Sequence, residues 1–142
     1  MRTDRVIVGE VRGAETVDML QAFCTGHDGS LSTGHGNSTK DMLYRLETMV
    51  MMGMDIPVLA VRRQLASGID LMIHLGRLRD KRRVILEISE IDGCKDGEIV
   101  VNPLYRFVEK ETDVFGYVTG DWVQVGELQH KEKLFAAGIS YD

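Results

Sequence analysis

Glu10 closes the run RVIVG at residues 5–9, a short β-branched stretch without polar alternation. Such a run marks a strand buried on both faces of a parallel sheet. In an open α/β sheet, ligands bind outside the carboxyl ends of the strands. A carboxylate at that place positions a water or holds Mg²⁺ through one, as nucleotide hydrolysis requires. Gly9 lets a ligand approach the backbone closely. The competing reading is a strand that simply ends, with Glu10 pointing into water. A second polar group follows in TGHDGSLSTGHGNS, residues 25–38, where only Leu31 has much apolar area to bury. If SLST (30–33) is the neighbouring strand, Thr25, His27, Thr33, His35 and Asn37 emerge at the same sheet edge as Glu10. Hydroxyls and neutral imidazoles donate hydrogen bonds, and small neighbours leave room for an anion, which suits a γ-phosphate sensor. A metal site built from Cys24, His27 and His35 lacks a fourth ligand and the close pairing typical of zinc. A flexible linker fits poorly between two apolar helical segments.

These residues need elements to position them. Residues 14–24 read as a helix with Val17, Leu20 and Cys24 on one side. Ser38 with Asp41 resembles a capping box. Met42, Leu43, Leu46, Met49 and Val50 then recur at helical spacing up to Gly53. Asp55 is expected to cap a further helix with Pro57 in its first turn, a stripe of Val58, Val61 and Leu65, and Gly68 as its stop. Ile69, Leu71, Ile73 and Leu75 alternate with polar or less apolar neighbours, so the period changes to two. With residues 84–91 they form a hairpin around a charged turn at 79–82. DGCKDG (92–97) is rich in turn residues, and 98–108 reads as a strand. Tyr117-Val118 and Trp122-Val123, separated by TGD, suggest a further hairpin. Residues 129–137 form a short terminal helix closed by Gly138. The chain thus divides into an α/β part, 1–91, and a β-rich extension, 92–142.

The 142 residues have the size of one ordinary domain, and 44% apolar with 27% charged residues is globular composition. No apolar run approaches the roughly 20 residues that span a bilayer. The N-terminus lacks the pattern of a signal peptide, which gives a cytoplasmic expectation. Cys24 and Cys94 are too few for a disulfide framework and are read as reduced. Residues 1–91 carry 12 Lys and Arg against 12 Asp and Glu, and residues 92–142 carry 5 against 10, so the net charge of −5 lies in the second part. An acidic extension disfavours nucleic acid as a partner. RLRDKRR (77–83) is the one basic cluster and reads as a solvated hairpin tip.

VIVGEVRGAET (6–16), TGHDGSLSTGHGNS (25–38) and RLETMVMMGMD (45–55) together resemble the secretion ATPase family that powers type II and type IV secretion and pilus assembly. QLASGIDLMIHLGRLRDKRR (64–83) and HKEKLFAAGI (130–139) extend the likeness, which is closest to the tight-adherence (Flp) pilus ATPase of the CpaF type. The resemblance implies that VIVGE is the Walker B strand and Glu10 the glutamate associated with water activation. It implies that His27 and His35 belong to the histidine box that senses nucleotide state, and that Arg12, Thr25 and Thr33 are nucleotide or interface contacts. ATP and Mg²⁺ are implied as cofactors of the full-length family protein. Ring hexamers at the cytoplasmic face of the inner membrane, against a secretion platform, are implied as the assembly.

Two departures qualify the likeness. Gly34 and Gly36 flank His35 where the family has a bulkier residue and an alanine. The string G-x-x-x-x-G-K-S/T, whose backbone N–H groups and lysine grip the β/γ-phosphates, is absent, and Lys40, the only lysine in the first 80 residues, follows Thr39. The family places that loop upstream of the Walker B strand. The expectation is therefore the C-terminal part of a RecA-like sheet, inactive alone and in need of its N-terminal ATPase half. The gap left by the phosphate-loop strand should make the sheet rearrange or exchange strands between copies, hence a homo-oligomer. Met49, Met51, Met52 and Met54 fill core, or offer an adaptable contact surface. The alternative is a non-catalytic assembly module, or one half of a split ATPase.

Overall fold

The computed structural model describes residues 3–140. In chain order the elements are β1 (Ile7–Val8), α1 (Thr16–Cys24), β2 (Leu31–Ser32), α2 (Thr39–Gly53), α3 (Val58–Gly68), β3 (Leu71–Arg77), β4 (Arg83–Lys95), β5 (Glu98–Thr112), β6 (Val118–Gln124) and α4 (Glu132–Ala136). They fall into two compact units. The first holds the chain up to Asp70 with Gly93–Val100, and the second holds Leu71–Asp92 with the chain from Val101 onward. Among the described residues no helix is long and apolar enough to cross a membrane.

In the first unit α1, α2 and α3 pack against one another. Met19, Leu20, Leu43, Leu46, Met49, Val50, Val61 and Leu65 are buried between them. The methionine cluster divides: Met49 joins this core, whereas Met51 and Met52 are exposed. Ser38 caps α2 as its spacing suggested, its hydroxyl accepting from Asp41 N at 3.0 Å, while Asp41 Oδ2 accepts from Asn37 N at 2.9 Å. Replacing Ser38 by Ala is expected to lower stability by about 1 kcal/mol, the worth of an N-cap. An unchanged denaturant midpoint would show that water replaces the cap. α3 begins differently from expectation. Pro57, not Asp55, is its N-cap, in extended conformation, and its carbonyl accepts from Ala60 N at 2.9 Å. The hairpin turn between β4 and β5 belongs to this unit. Arg62 Nη1 donates to Gly97 O (2.8 Å) and Glu98 Oε1 (3.0 Å), while its other nitrogens hold Glu47 at 2.9 and 3.2 Å.

β1 and β2 pair in parallel, Ile7 opposite Leu31 and Val8 opposite Ser32. Burial on both faces does not occur. Ile7 is 74% and Leu31 62% exposed. An all-apolar run signals that both faces can be covered, and only tertiary packing decides whether they are.

The second unit is a four-stranded antiparallel sheet in the order β3-β4-β5-β6. β3 therefore does not extend the β1–β2 pair. It runs against β4 from Leu71 opposite Glu90 to Arg77 opposite Arg83, because a short turn brings those two strands together first. Asp96 (φ 52°) and Gly97 (φ 78°) form the two-residue turn into β5, the Asp-Gly pairing that suits strand twist. The hairpin expected at TGD is instead one strand, β6. The reversal lies earlier, where Asp113 Oδ1 accepts from Phe115 N (2.9 Å) and Tyr117 N (2.8 Å). Gly120 sits inside β6 because the Phe107 ring lies on it: an added Cβ would come within 2.5 Å of Phe107 Cζ. Trp122 packs beside that ring at 5.3 Å between centroids and donates its indole N–H to Ile85 O at 2.7 Å.

One buried carboxylate fastens the chain after β6. Glu90, 2% exposed, accepts from Asn102 Nδ2 at 3.0 Å, Gln129 N at 2.9 Å and His130 N at 2.8 Å. His130 Nε2 lies 2.6 Å from Asp92 Oδ1. Burial opposes the charge on Glu90, yet the donors from Gln129, His130 and Asn102 together hold its pKa below the ordinary value.

Candidate functional site

Because β1 and β2 run parallel, the residues that follow them leave at the same end of the pair. Glu10 follows β1 and His35 follows β2. Hydrogen bonding continues past both strands: Val11 N donates to Thr33 O at 3.1 Å, and the Thr33 hydroxyl donates to the Gly9 carbonyl. The loop then passes directly over the first turn of α2. A Cβ on Gly36 would lie 3.0 to 3.2 Å from the Met42 Cβ, Cα and N, so this approach needs glycine. Gly34 likewise faces the Met42 side chain. The two glycines that depart from the family pattern are thus fitted to this packing.

Glu10 meets two nitrogen-bearing side chains, one of them the Arg12 cation. Arg12 reaches Oε2 with Nε at 2.8 Å and Nη2 at 2.5 Å, and His35 Nε2 lies 2.7 Å from Oε1. Oε1 is buried and has no hydrogen-bond partner, so His35 is a close neighbour of that oxygen rather than a fixed donor to it. The Arg12 hydrogen bond is the main force holding the Glu10 pKa below its ordinary value; partial burial opposes it, and the Arg12 and His35 charges add to it. Glu10 is therefore a carboxylate at neutral pH. Its side chain is 22% exposed, whereas those of Arg12 and His35 are 77% and 80% exposed and reachable from solvent.

Glu15 organises the loop that carries Arg12. Its Oε1 accepts from Arg12 N at 2.6 Å and Gly13 N at 3.0 Å. Those backbone donors, Arg12 first, lower its pKa. Sequence reasoning did not single out Glu15. The available signal was a carboxylate at the start of α1, where N–H groups have no partners within the helix.

Thr25 and His27 lie elsewhere. They precede β2, so the parallel pairing puts them at the end of the strand pair opposite Glu10, and the expectation that all the polar residues share one edge fails for these two. Thr25 Oγ1 donates to Gln21 O at 2.7 Å, and His27 Nδ1 sits 3.2 Å from Ala22 O, which closes the carboxyl end of α1. Ser30 fastens the same turn, donating to His27 O at 2.6 Å and accepting from Val6 N at 2.9 Å. Asn37 lies beyond His35, with its backbone N–H held by Asp41. Among the described residues, no group of three or more His, Cys, Asp or Glu side chains is placed to hold a metal ion.

The site that the structure assembles is thus Glu10, Arg12 and His35, with Thr33 and Glu15 bracing the loops. Chemically it offers a carboxylate able to take a hydrogen bond from water, and exposed N–H donors suited to an anion.

Residues 1–111 match the family of type II/IV secretion system proteins. A putative conjugal transfer protein of Mycobacterium tuberculosis, MT3759, is 42% identical over 89 residues, which are 63% of this chain and 25% of that protein. The conjugal transfer protein TrbB of Rhizobium radiobacter is 30% identical over 114 residues, 80% of this chain and 34% of that one. The crystal structure of the VirB11 ATPase from the Brucella suis type IV secretion system, in complex with sulphate, superposes with a TM-score of 0.59 at 29% identity, covering 63% of this chain and 28% of the other. The chain spans 25% to 34% of the length of these curated relatives. Over the greater part of its length it belongs to the type II/IV secretion system protein family.

Proposed function

We propose that this chain forms part of a secretion-system ATPase, the part that presents the water-positioning carboxylate and the phosphate-facing donors. The observation that carries this reading is Glu10 at the carboxyl end of β1, bracketed by Arg12 and His35. Glu10 would orient the attacking water. Arg12 and His35 would meet the terminal phosphate, whose developing charge such donors stabilise. Names of relatives such as the VirB11 ATPase support the reaction class, and the strings quoted above favour the tight-adherence pilus type. On this reading the chain is the C-terminal part of a RecA-like domain, and Thr25 and His27 act at a subunit boundary rather than on the phosphate. The division into a catalytic part, 1–91, and an extension, 92–142, belongs to the same reading.

The fit to cofactors is partial. The exposed donors suit the phosphate end of ATP, whose bond supplies the driving reaction. Mg²⁺ fits poorly, because one oxygen of the carboxylate here is held by the Arg12 cation and the other lies buried against His35. Residues of the phosphate-binding loop would have to hold it. The working protein would be a hexameric ring on an inner-membrane platform at the cytoplasmic face, with no nucleic-acid substrate. Sheet rearrangement or strand exchange between copies would cover the β1–β2 pair.

Calorimetric titration with Mg-ATP, on a sample of known mass in solution, tests the reading. The chain alone is expected to bind weakly and to turn over no ATP. Turnover by the chain alone would defeat it. A second reading, a non-catalytic assembly module or one half of a split ATPase, is favoured by the bare apolar pair Ile7 and Leu31. A stable complex with a polypeptide carrying G-x-x-x-x-G-K-S/T that restores hydrolysis would decide for the split enzyme.

A further inference from the structure

At one end of the four-stranded sheet two turns lie side by side, residues 78–82 and 113–117, and they are fastened to each other. Asp80 Oδ2 accepts from Val118 N at 2.7 Å, and Arg82 Nη2 donates to Val118 O at 2.5 Å. Arg82 also pairs with Asp80 at 2.7 Å and lies 5.4 Å over the Tyr117 ring. The Arg82 hydrogen bond, against partial desolvation and with help from the Val118 and Arg82 backbone donors, lowers the Asp80 pKa to about 2. The two turns therefore act as one rigid end.

What that end presents is unusual for a surface turn. Val114 is 94% exposed and Phe115 82%, with Tyr117 half-exposed behind them. Beside them stands the basic cluster RLRDKRR. Arg79 pairs with Glu109, Arg82 with Asp80, and Lys110 with Asp121. Arg77, Lys81 and Arg83 have no ion pair among the described residues. Against these three cations stand Glu111 and Asp113, and the Asp113 carboxylate is engaged by two backbone N–H groups. Pairs included, this end carries a small positive excess, and its three unpaired cations are exposed, in contrast to residues 92–142 as a whole with 5 cations against 10 acids.

We infer that this end of the sheet docks on an anionic lipid surface, with Val114 and Phe115 entering the headgroup layer and Arg77, Lys81 and Arg83 facing its charge. Shape favours lipid over protein. Two side chains on a protruding turn bury little against a rigid partner, far below the roughly 800 Å² per side of a stable protein contact. A fluid interface closes around a projection of any outline. Apolar insertion joined to local cationic attraction is the two-signal arrangement that peripheral membrane attachment requires. The inference says where on the chain a membrane is met, and it does not depend on the nucleotide reading.

Co-sedimentation of the full chain with lipid vesicles tests it, without ATP, so failure here leaves the ATPase reading untouched. Vesicles containing phosphatidylserine are expected to carry the chain down, and pure phosphatidylcholine vesicles are not. Binding should weaken as salt shortens the range of the charges. Phe115→Ser should weaken it about tenfold or more, as expected for one lost apolar insertion. Neutralising Arg77, Lys81 and Arg83 together should weaken it by about a hundredfold, at about fivefold per charge. All these positions are on the surface, so equal urea midpoints will confirm that the variants fold. Absence of binding to the anionic vesicles overturns the inference. So does wild-type binding by a Val114→Ser, Phe115→Ser double variant. A change in solution mass with no change in vesicle binding would assign the tip to a protein contact instead.

Discussion

Replacing Glu10 by Gln is expected to cut ATP turnover by about a hundredfold or more, the usual worth of a positioned proton acceptor, while leaving ATP affinity within about threefold. The measurement requires a polypeptide that joins this chain to a phosphate-binding-loop segment. The geometry gives the reason. One Glu10 oxygen accepts from Arg12 and the other lies buried 2.7 Å from His35 Nε2. Glutamine has a single acceptor oxygen, so it cannot present a carboxylate oxygen to both Arg12 and an attacking water. It also lacks the negative charge that draws a proton from water. Affinity should change little, because the groups proposed to touch phosphate are Arg12 and His35. Wild-type turnover in the variant would remove Glu10 from the chemistry. Lost turnover together with lost affinity would make it a binding residue.

The second large effect is structural. Glu90→Leu should destabilise the four-stranded unit by about 3 kcal/mol, because three donors that now share the carboxylate would be left buried or half-buried without an acceptor, at about 1–3 kcal/mol each before relaxation. Glu90→Gln keeps one acceptor oxygen and should cost less. Urea unfolding reads the loss, and amide exchange at Gln129 and His130 locates it. A midpoint shift worth under about 0.5 kcal/mol would show that the 127–130 segment is not held by Glu90. Acidity acts in the same place. Glu90 has a folded pKa below its ordinary 4.5, so its contribution is full above that value and is lost as pH falls through the lowered one. His130 behaves oppositely. Its hydrogen bond to Asp92 raises its pKa above 6.5, so its contribution is full below 6.5 and fades as pH rises through the raised value. The segment after β6 should therefore be held most tightly between about pH 4.5 and 6.5.

Periodicity made α1, α2 and the β3–β4 hairpin legible, because one face of each element carries its apolar residues at the right interval. Composition marked a break over 92–97, but only Asp96-Gly97 turn there, because β4 runs on to Lys95. The turn at Asp113 was not, since its hydrogen bonds run from one side chain to backbone N–H groups. TGD attracted attention wrongly, because Gly120 serves to admit the Phe107 ring rather than to reverse the chain. Glu10, Arg12 and His35 could be singled out from their strings, yet the separation of His27 and Thr25 from them follows from strand direction. Glu90 was invisible because its partners at Gln129 and His130 are 39 and 40 residues away and are backbone donors.

The hold on Glu10 has a consequence for timing. Arg12 has N–H donors to spare, but His35 approaches Glu10 with one nitrogen only, Nε2, 2.7 Å from the buried Oε1. An arriving phosphate that recruits that nitrogen must draw it away from the carboxylate. Occupancy and release of Glu10 would then be one event, and the general base would be unmasked only with its substrate in place, so that water is not activated in an empty site.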